Sequence, residues 1–264
     1  MKVACIQLSS TDDYDKNCKE ILKYINIAIS KKSDFIITPE TSSIISDDKK
    51  KLFKFSYEMK SDPLIKDVKK IAKNKKKWIM IGSLPIKVGK KLRNRSILIN
   101  KNGKIQKYYD KINMFDVKVS AKEIHNESKI YKAGKKLALA NTPWGKLGFS
   151  ICFDLRFPEL YRRLSKNNLN FITVPSAFTK ITGKKHWLQL LTARAIENFC
   201  FIFAPNQTGK NTKKRETFGH SVIISPDGKI IKLKKKGKGI ICANINIKEP
   251  MLLKKRIPTV MKNY

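Results

Sequence analysis

A layered α/β fold, built on one large mixed sheet or two stacked sheets, is predicted by three features of the chain. Short apolar runs that read as strands outnumber helical stretches, the two types alternate, and hairpins sit among the strand–helix units. No stretch rich in Pro, Gly or Ser divides the sequence, so residues 1–264 are expected to form a single domain, long enough to bury a sizeable core.

Residues 2–8 alternate apolar and polar and read as a strand rather than a signal peptide, since polar Ser9, Ser10 and Thr11 follow at once. Cys18, Ile21, Leu22, Ile25 and Ala28 recur at helical spacing, which predicts a helix over 14–29. Residues 34–39 form a short buried strand stopped by Pro39. Leu64, Ile65, Val68 and Ile71 line one side of a helix over 62–72, and 78–83 is another strand. Strands 95–100 and 104–108 flank Lys101-Asn102-Gly103, a strong hairpin turn. Residues 111–131 have weak periodicity and read as a long active-site loop. Beyond it come a strand at 146–151, a helix at 158–165, a strand at 171–175, a longer helix at 186–198 and a strand at 200–204. A hairpin over Ser225-Pro226-Asp227-Gly228 joins strands 220–225 and 229–233, and 240–247 closes the series.

Composition narrows the functional classes. Hydrophobic residues make up 41% of the chain, too many for a disordered protein, and no run is long enough to span a bilayer. The five cysteines are scattered without a CxxC pair, which fits a reducing cytoplasm. Lys and Arg number 57 against 21 Asp and Glu, a formal charge of +36 that attracts polyanions in general. The lysines are spread through nearly every surface-like segment, as at 49–51, 75–77, 213–215 and 234–236. A nucleic-acid groove would concentrate charge and interleave aromatics, so no specific nucleic acid is expected. The histidines and cysteines form no zinc spacing, and Gly82, Gly89, Gly103 and Gly134 are isolated rather than gathered in a nucleotide loop, so no metal and no cofactor are implied.

The chemistry centres on Cys152, in Gly148-Phe149-Ser150-Ile151-Cys152-Phe153-Asp154-Leu155-Arg156-Phe157-Pro158-Glu159-Leu160. It ends an apolar run where a helix is expected to begin, so the thiol would sit near free helix N–H groups. Between Ile151 and Phe153 it reads equally as a core cysteine. Asp154, Arg156 and Glu159, however, suit a polar pocket floor better than an apolar core. Glu40 lies just past a strand and could act as a general base, or as a turn residue. Lys111 has aromatic and apolar neighbours, unlike the solvated lysine runs, and an ammonium there could stabilise an oxyanion. A Cys–His dyad is the competing arrangement, with His125, His186 and His220 as the available bases. None of these has a local pattern tying it to Cys152.

Together these blocks resemble the nitrilase superfamily of carbon–nitrogen hydrolases, in its Nit-type amidase branch. Thr38-Pro39-Glu40 looks like the family's glutamate block. Arg93-Asn94-Arg95-Ser96 with Tyr109-Asp110-Lys111-Ile112 looks like its lysine block, and residues 152–160 look like its cysteine block. The resemblance implies a triad of Glu40, Lys111 and Cys152. It adds Glu127, otherwise a solvated loop acid, as the residue that holds the lysine. It also implies an α-β-β-α sandwich paired into a homodimer or higher homo-oligomer. Pro175-Ser176-Ala177-Phe178-Thr179 and the stretch from Thr182 to Trp187 resemble the pocket wall of that branch. Phe153, Asn113, Arg156, Phe178, Thr179 and His186 are thereby implied to form the oxyanion and substrate pocket. Arg156 or Arg194 could meet a substrate carboxylate or serve as a structural ion-pair residue. Family members usually carry His two residues after the lysine, and many carry Tyr after the cysteine, where this chain has Asn113 and Phe153. The substrate implied is a small carboxylate-bearing amide of the kind cleaved by amidases that clear deaminated glutathione. Alternatives are an omega-amidase acting on alpha-ketoglutaramate, an N-carbamoyl amide hydrolase, a nitrilase, and a non-catalytic basic protein that binds nucleic acid.

Overall fold

The computed structural model describes residues 1–120 and 123–259. In chain order the elements are β1 (Lys2–Gln7), α1 (Tyr14–Ser30), β2 (Phe35–Ile37), α2 (Lys49–Lys54), α3 (Pro63–Lys75), β3 (Trp78–Val88), β4 (Lys91–Ile99), β5 (Ile105–Asp110), β6 (Asp116–Lys118) and β7 (Ile124–Asn126). They continue with β8 (Leu139–Thr142), β9 (Gly145–Phe149), α4 (Pro158–Ser165), β10 (Phe171–Thr173), α5 (Lys180–Asn198), β11 (Phe201–Ala204), β12 (Thr208–Lys210), β13 (Glu216–Phe218), β14 (Ser221–Ile224), β15 (Ile230–Lys234), β16 (Gly239–Asn244) and α6 (Glu249–Arg256). Two six-stranded mixed sheets result, ordered β16-β1-β2-β3-β4-β5 and β15-β14-β11-β10-β9-β8.

Strand alternation makes these sheets into a four-layer sandwich. On β1, Val3 and Cys5 face the second sheet and share a cluster with Phe35, Phe149 and Phe203. Ala4 and Ile6 face the other way and pack with Ile21 and Ile25 of α1 and Leu64 and Ile65 of α3. On the second sheet, Phe171 and Phe203 stack with centroids 5.5 Å apart in the interior. Leu164 of α4 and Ile172 close over Gly148 on the outer face. Asp13 caps α1 by accepting from the Lys16 N–H, and Asp62 caps α3 ahead of Pro63, so both helices start where a side-chain acceptor meets the first free N–H groups.

The observed elements run past the expected ones in several places. Strand β3 continues to Val88 and turns into β4, because a bulge between Ile81 and Leu84 absorbs Gly82 and Ser83, residues that read as a stop. Helix α5 begins at Lys180, six residues before His186, since Gly183 sits against the Phe218 ring, where a side chain would collide. The stretch from Lys111 to Tyr131 carries the β6–β7 hairpin and a turn of 3-10 helix at Glu127–Lys129; residues 121 and 122 of it lie outside the described part. No helix among the described residues is long and apolar enough to cross a membrane.

The bulge in β3 also fixes the turn that follows β2. A Cβ at Gly82 would lie 1.9 Å from the Thr38 carbonyl oxygen and 2.5 Å from that of Pro39. The Gly82 N–H donates to Thr38 Oγ1 (2.9 Å), and Ser83 Oγ accepts from the Thr41 N–H (2.8 Å). Glu40 is thus carried by a segment pressed directly on the bulge. Replacing Gly82 by Ala is expected to cost about 1–3 kcal/mol through forced overpacking, read as a lowered denaturant midpoint.

Candidate active site

Cys152 follows β9 after Ser150 and Ile151 and has φ +46°, a left-handed conformation rare for a residue with a side chain. Strain of this kind costs on the order of 1–3 kcal/mol and persists where neighbours over-determine it. Here the Cys152 N–H donates to the Pro175 carbonyl just beyond β10 (3.0 Å). Asp154, fully buried, accepts from the Ile151 N–H (2.9 Å), the Tyr109 hydroxyl (2.8 Å), and both the N–H (3.0 Å) and Nδ2 (2.8 Å) of Asn113. Burial pushes the Asp154 carboxyl up, and these donors oppose that push. A helix does begin at Cys152, but it is the short 3-10 helix Cys152–Arg156, and α4 follows from Pro158 as expected. The Asp154 side chain, pinned from Tyr109 and Asn113, holds the tighter turn in place.

Glu40 reaches the same point from the first sheet. One carboxylate oxygen, Oε1, accepts from Lys111 Nζ (2.9 Å) and Asn94 Nδ2 (2.9 Å); the other, Oε2, accepts from the Ala177 N–H (2.8 Å). Its backbone oxygen takes a hydrogen bond from Gln207 Nε2 (3.0 Å), which ties the turn to the second sheet. Lys111 extends from the end of β5, its N–H on the Asn94 carbonyl (3.0 Å) and its own carbonyl on the Gly134 N–H (2.7 Å). Lys111 Nζ also donates to Glu127 Oε2 (2.8 Å), while Glu127 accepts from Asn94 Nδ2 (2.9 Å) and the Phe115 N–H (2.7 Å). Glu40 and Lys111 are each 2% exposed and Cys152 6%, so the cluster meets almost no bulk water.

That burial sets the charges. It raises the Cys152 thiol well above its ordinary value, and the adjacent Glu40 carboxylate adds to the rise. Burial would also raise Glu40, but the positive charges of Lys111 and Arg215 outweigh it and hold the carboxyl below its usual range. For Lys111, burial alone would favour the neutral amine; Glu127 and then Glu40 overcome it and keep the ammonium charged far above neutral pH. The resting cluster is therefore a protonated thiol beside an ionised Glu40–Lys111 pair, with Glu127 accepting from the same ammonium. An ammonium has three donors, and two are committed to the carboxylates, which leaves one.

The other expected residues divide. A cavity of about 210 Å³ is lined by Glu40, Lys111, Glu127 and Cys152 together with Asn94, Phe115, Tyr131 and Arg215. A smaller pocket beside Cys152 is lined by Phe153, Arg156, Phe178 and Thr179. The Arg156 guanidinium lies 5.3 Å from the Phe178 ring centre and its Nη2 is 3.2 Å from His186 Nδ1. Burial, then the charges of Arg156 and Lys185, lower the His186 imidazole, so its ring nitrogen can accept from Arg156. Asn113 lines neither cavity, being turned to Asp154. Arg194 is spent on the Leu155 carbonyl (3.0 Å) and Glu197 (3.0 Å). The histidines bond away from the thiol: His125 to Glu123, His186 to Arg156, His220 to the Phe218 carbonyl. Asn94 and Arg215 were not singled out as site residues from the sequence. Asn94 lies in the block Arg93-Asn94-Arg95-Ser96, which the resemblance brings in without giving Asn94 a role, and Arg215 ends a lysine run that reads as surface; β4 buries Asn94 and every strand residue after it.

Comparison with known proteins agrees with this geometry. Residues 2–250 match the carbon–nitrogen hydrolase family. The chain is 37% identical over 236 residues to the deaminated glutathione amidase of Dictyostelium discoideum, covering 85% of this chain and 80% of that one. It is 34% identical over 262 residues to the deaminated glutathione amidase of Synechocystis, covering 97% and 96%. The crystal structure of the Caenorhabditis elegans NitFhit protein superposes with a TM-score of 0.91 at 31% identity, over 97% of this chain and 63% of that chain. A fold of two stacked six-stranded sheets and a match along nearly the whole sequence lead to one assignment: the chain belongs to the carbon–nitrogen hydrolase family, as a thiol-dependent amidase of the Nit branch of the nitrilase superfamily.

Proposed function

We propose that the enzyme hydrolyses a small carboxylate-bearing amide, deaminated glutathione foremost, through a thioester on Cys152. The observation that carries the reading is the buried array of Glu40, Lys111 and Glu127 converging on a single strained cysteine. The substrate assignment is supported by the two deaminated glutathione amidases to which the chain is similar.

In the first half-reaction Glu40 accepts the thiol proton as sulfur forms a bond to the amide carbon. The carbonyl oxygen gains charge and is met by the third N–H of Lys111 and by the backbone N–H of Phe153. Glu40 returns the proton to the departing nitrogen, the carbon–nitrogen bond breaks, and the amine leaves. In the second half-reaction water attacks the thioester carbon and gives a proton to Glu40. The carbon–sulfur bond then breaks, the acid is released and the thiol is reprotonated. Because the thiol is held protonated and Glu40 ionised at rest, proton transfer and attack must proceed together, driven by charge stabilisation at the oxygen. Glu127 acts through Lys111, keeping it charged and aimed.

Amine release from deaminated glutathione and ammonia release from alpha-ketoglutaramate, measured on the purified enzyme, separate the two amidase readings. The first substrate is expected to have the higher kcat/KM; the reverse order would make the enzyme an omega-amidase. Cys152→Ala is expected to lose turnover by on the order of a thousandfold or more, while its thermal midpoint stays near that of the parent. Glu127→Gln is expected to lower kcat on the order of a hundredfold and to bring an alkaline fall in rate into view, as Lys111 loses part of the support for its charge. In the parent, activity requires ionised Glu40, whose carboxyl is held low. The kcat/KM profile should therefore fall on the acid side only below the usual carboxylate range. It should stay flat through neutrality, since Lys111 remains charged and Cys152 protonated there.

A further inference from the structure

Seven buried side-chain polar atoms lack a hydrogen-bond partner among the described residues, and three of them, Thr41 Oγ1, Asn94 Oδ1 and Arg215 Nε, belong to residues that line the cavity above Cys152. Unpaired buried polar groups cost free energy, so these three residues are polarised toward the cavity wall without being satisfied by the protein itself. Arg215 is the charged member. It is half-buried, and Nη2 donates to the Ala177 carbonyl (2.9 Å), which fixes the guanidinium. No carboxylate pairs with it among the described residues. The acids of the cavity are committed elsewhere, Glu40 and Glu127 to Lys111 and Glu123 to His125, apart from exposed Asp47 at the rim. An arginine that lines the cavity, is anchored by its backbone contact and has no carboxylate partner suits a planar anion.

We infer that Arg215 is a specificity-determining residue that binds a free carboxylate of the substrate. The inference rests on the amidase reading of the cavity and adds to it the residue that selects acidic over neutral amides. Arg156 and Arg194 are less suited: the first is sandwiched by Phe178 and His186 at the smaller pocket, and the second is consumed by Leu155 and Glu197.

The test labels Cys152 with 3-maleimidopropionate and with uncharged N-propylmaleimide, following the Cys152 peptide by mass spectrometry. The ratio of the two rates cancels changes in thiol reactivity and reports only preference for the carboxylate. Arg215→Met is expected to lower that ratio fivefold or more and Arg215→Lys to lower it partially. Lys214→Met, which removes the same net charge at the exposed rim, should lower it less than twofold. Should Arg215→Met not fold, Arg215→Gln supplies the same comparison. A ratio that falls no further for the Arg215 variants than for Lys214→Met, or that falls only in Arg156→Met, overturns the inference. No amide turnover enters this readout, so a wrong substrate assignment leaves it intact.

Discussion

A carboxylate buried in the seam between two sheets must be met by donors from every side, and Glu40 imposes that requirement on the whole molecule. Its partners come from β4, from the end of β5 and from the backbone after β10, so three distant segments are brought to one point by one charge. Lys111 cannot answer Glu40 alone, because burying an ammonium is itself costly; Glu127 joins from the β6–β7 hairpin to give the lysine a second anion. The ladder of charges is closed, with Asn94 bridging the two carboxylates. Removing one member would leave the rest buried and uncompensated, which ties integrity of the fold to integrity of the site.

The same seam explains why a reactive thiol can be kept quiet. Low pKa values of reactive cysteines usually come from helix N-termini or positive surroundings. Here the residue faces a carboxylate in a nearly dry site, and both effects favour the thiol. Reactivity is then conditional on an acyl group arriving to accept the sulfur and to develop charge within reach of Lys111. Strain at Cys152 aims the side chain away from the sheet core and toward the cavity, and the four donors on Asp154 keep that strain from relaxing.

Much of the fold was legible because its determinants are local. The apolar alternation of β1, the helical spacing of α1 and α3, and the turns at Lys101-Asn102-Gly103 and Ser225-Pro226-Asp227-Gly228 all read directly from neighbouring residues. The short strands β6, β7, β12 and β13 did not, since each hairpin is only three residues long on either side and lacks an apolar alternation, and the weakly amphipathic α6 did not because its Lys254 is held by Leu169, far back in the chain. In the site, Glu40, Lys111 and Cys152 stood out as polar groups in apolar settings, whereas Glu127 came only by resemblance. Asn94 lies in the lysine block but carries no role there, and Arg215 is hidden in a basic run: a lysine-rich sequence masks the one arginine of a run that turns inward. The resemblance implies Asn113 as a pocket residue because it lies two positions after Lys111; in the loop that follows β5 its side chain bonds Asp154.

The first strand of the chain is paired on one side with β2 and on the other with β16, Lys2 lying opposite Asn244. The sheet that carries Glu40 therefore cannot be sealed until β16 has been made. At ribosomal rates of roughly 5–20 residues per second, the β1 edge stays open while everything from α1 to β15 emerges, and an open edge is prone to pair with other chains. Charge of one sign dispersed over nearly every surface segment keeps such incomplete chains apart by mutual repulsion. Such repulsion opposes edge-to-edge pairing of β1 during the interval before closure.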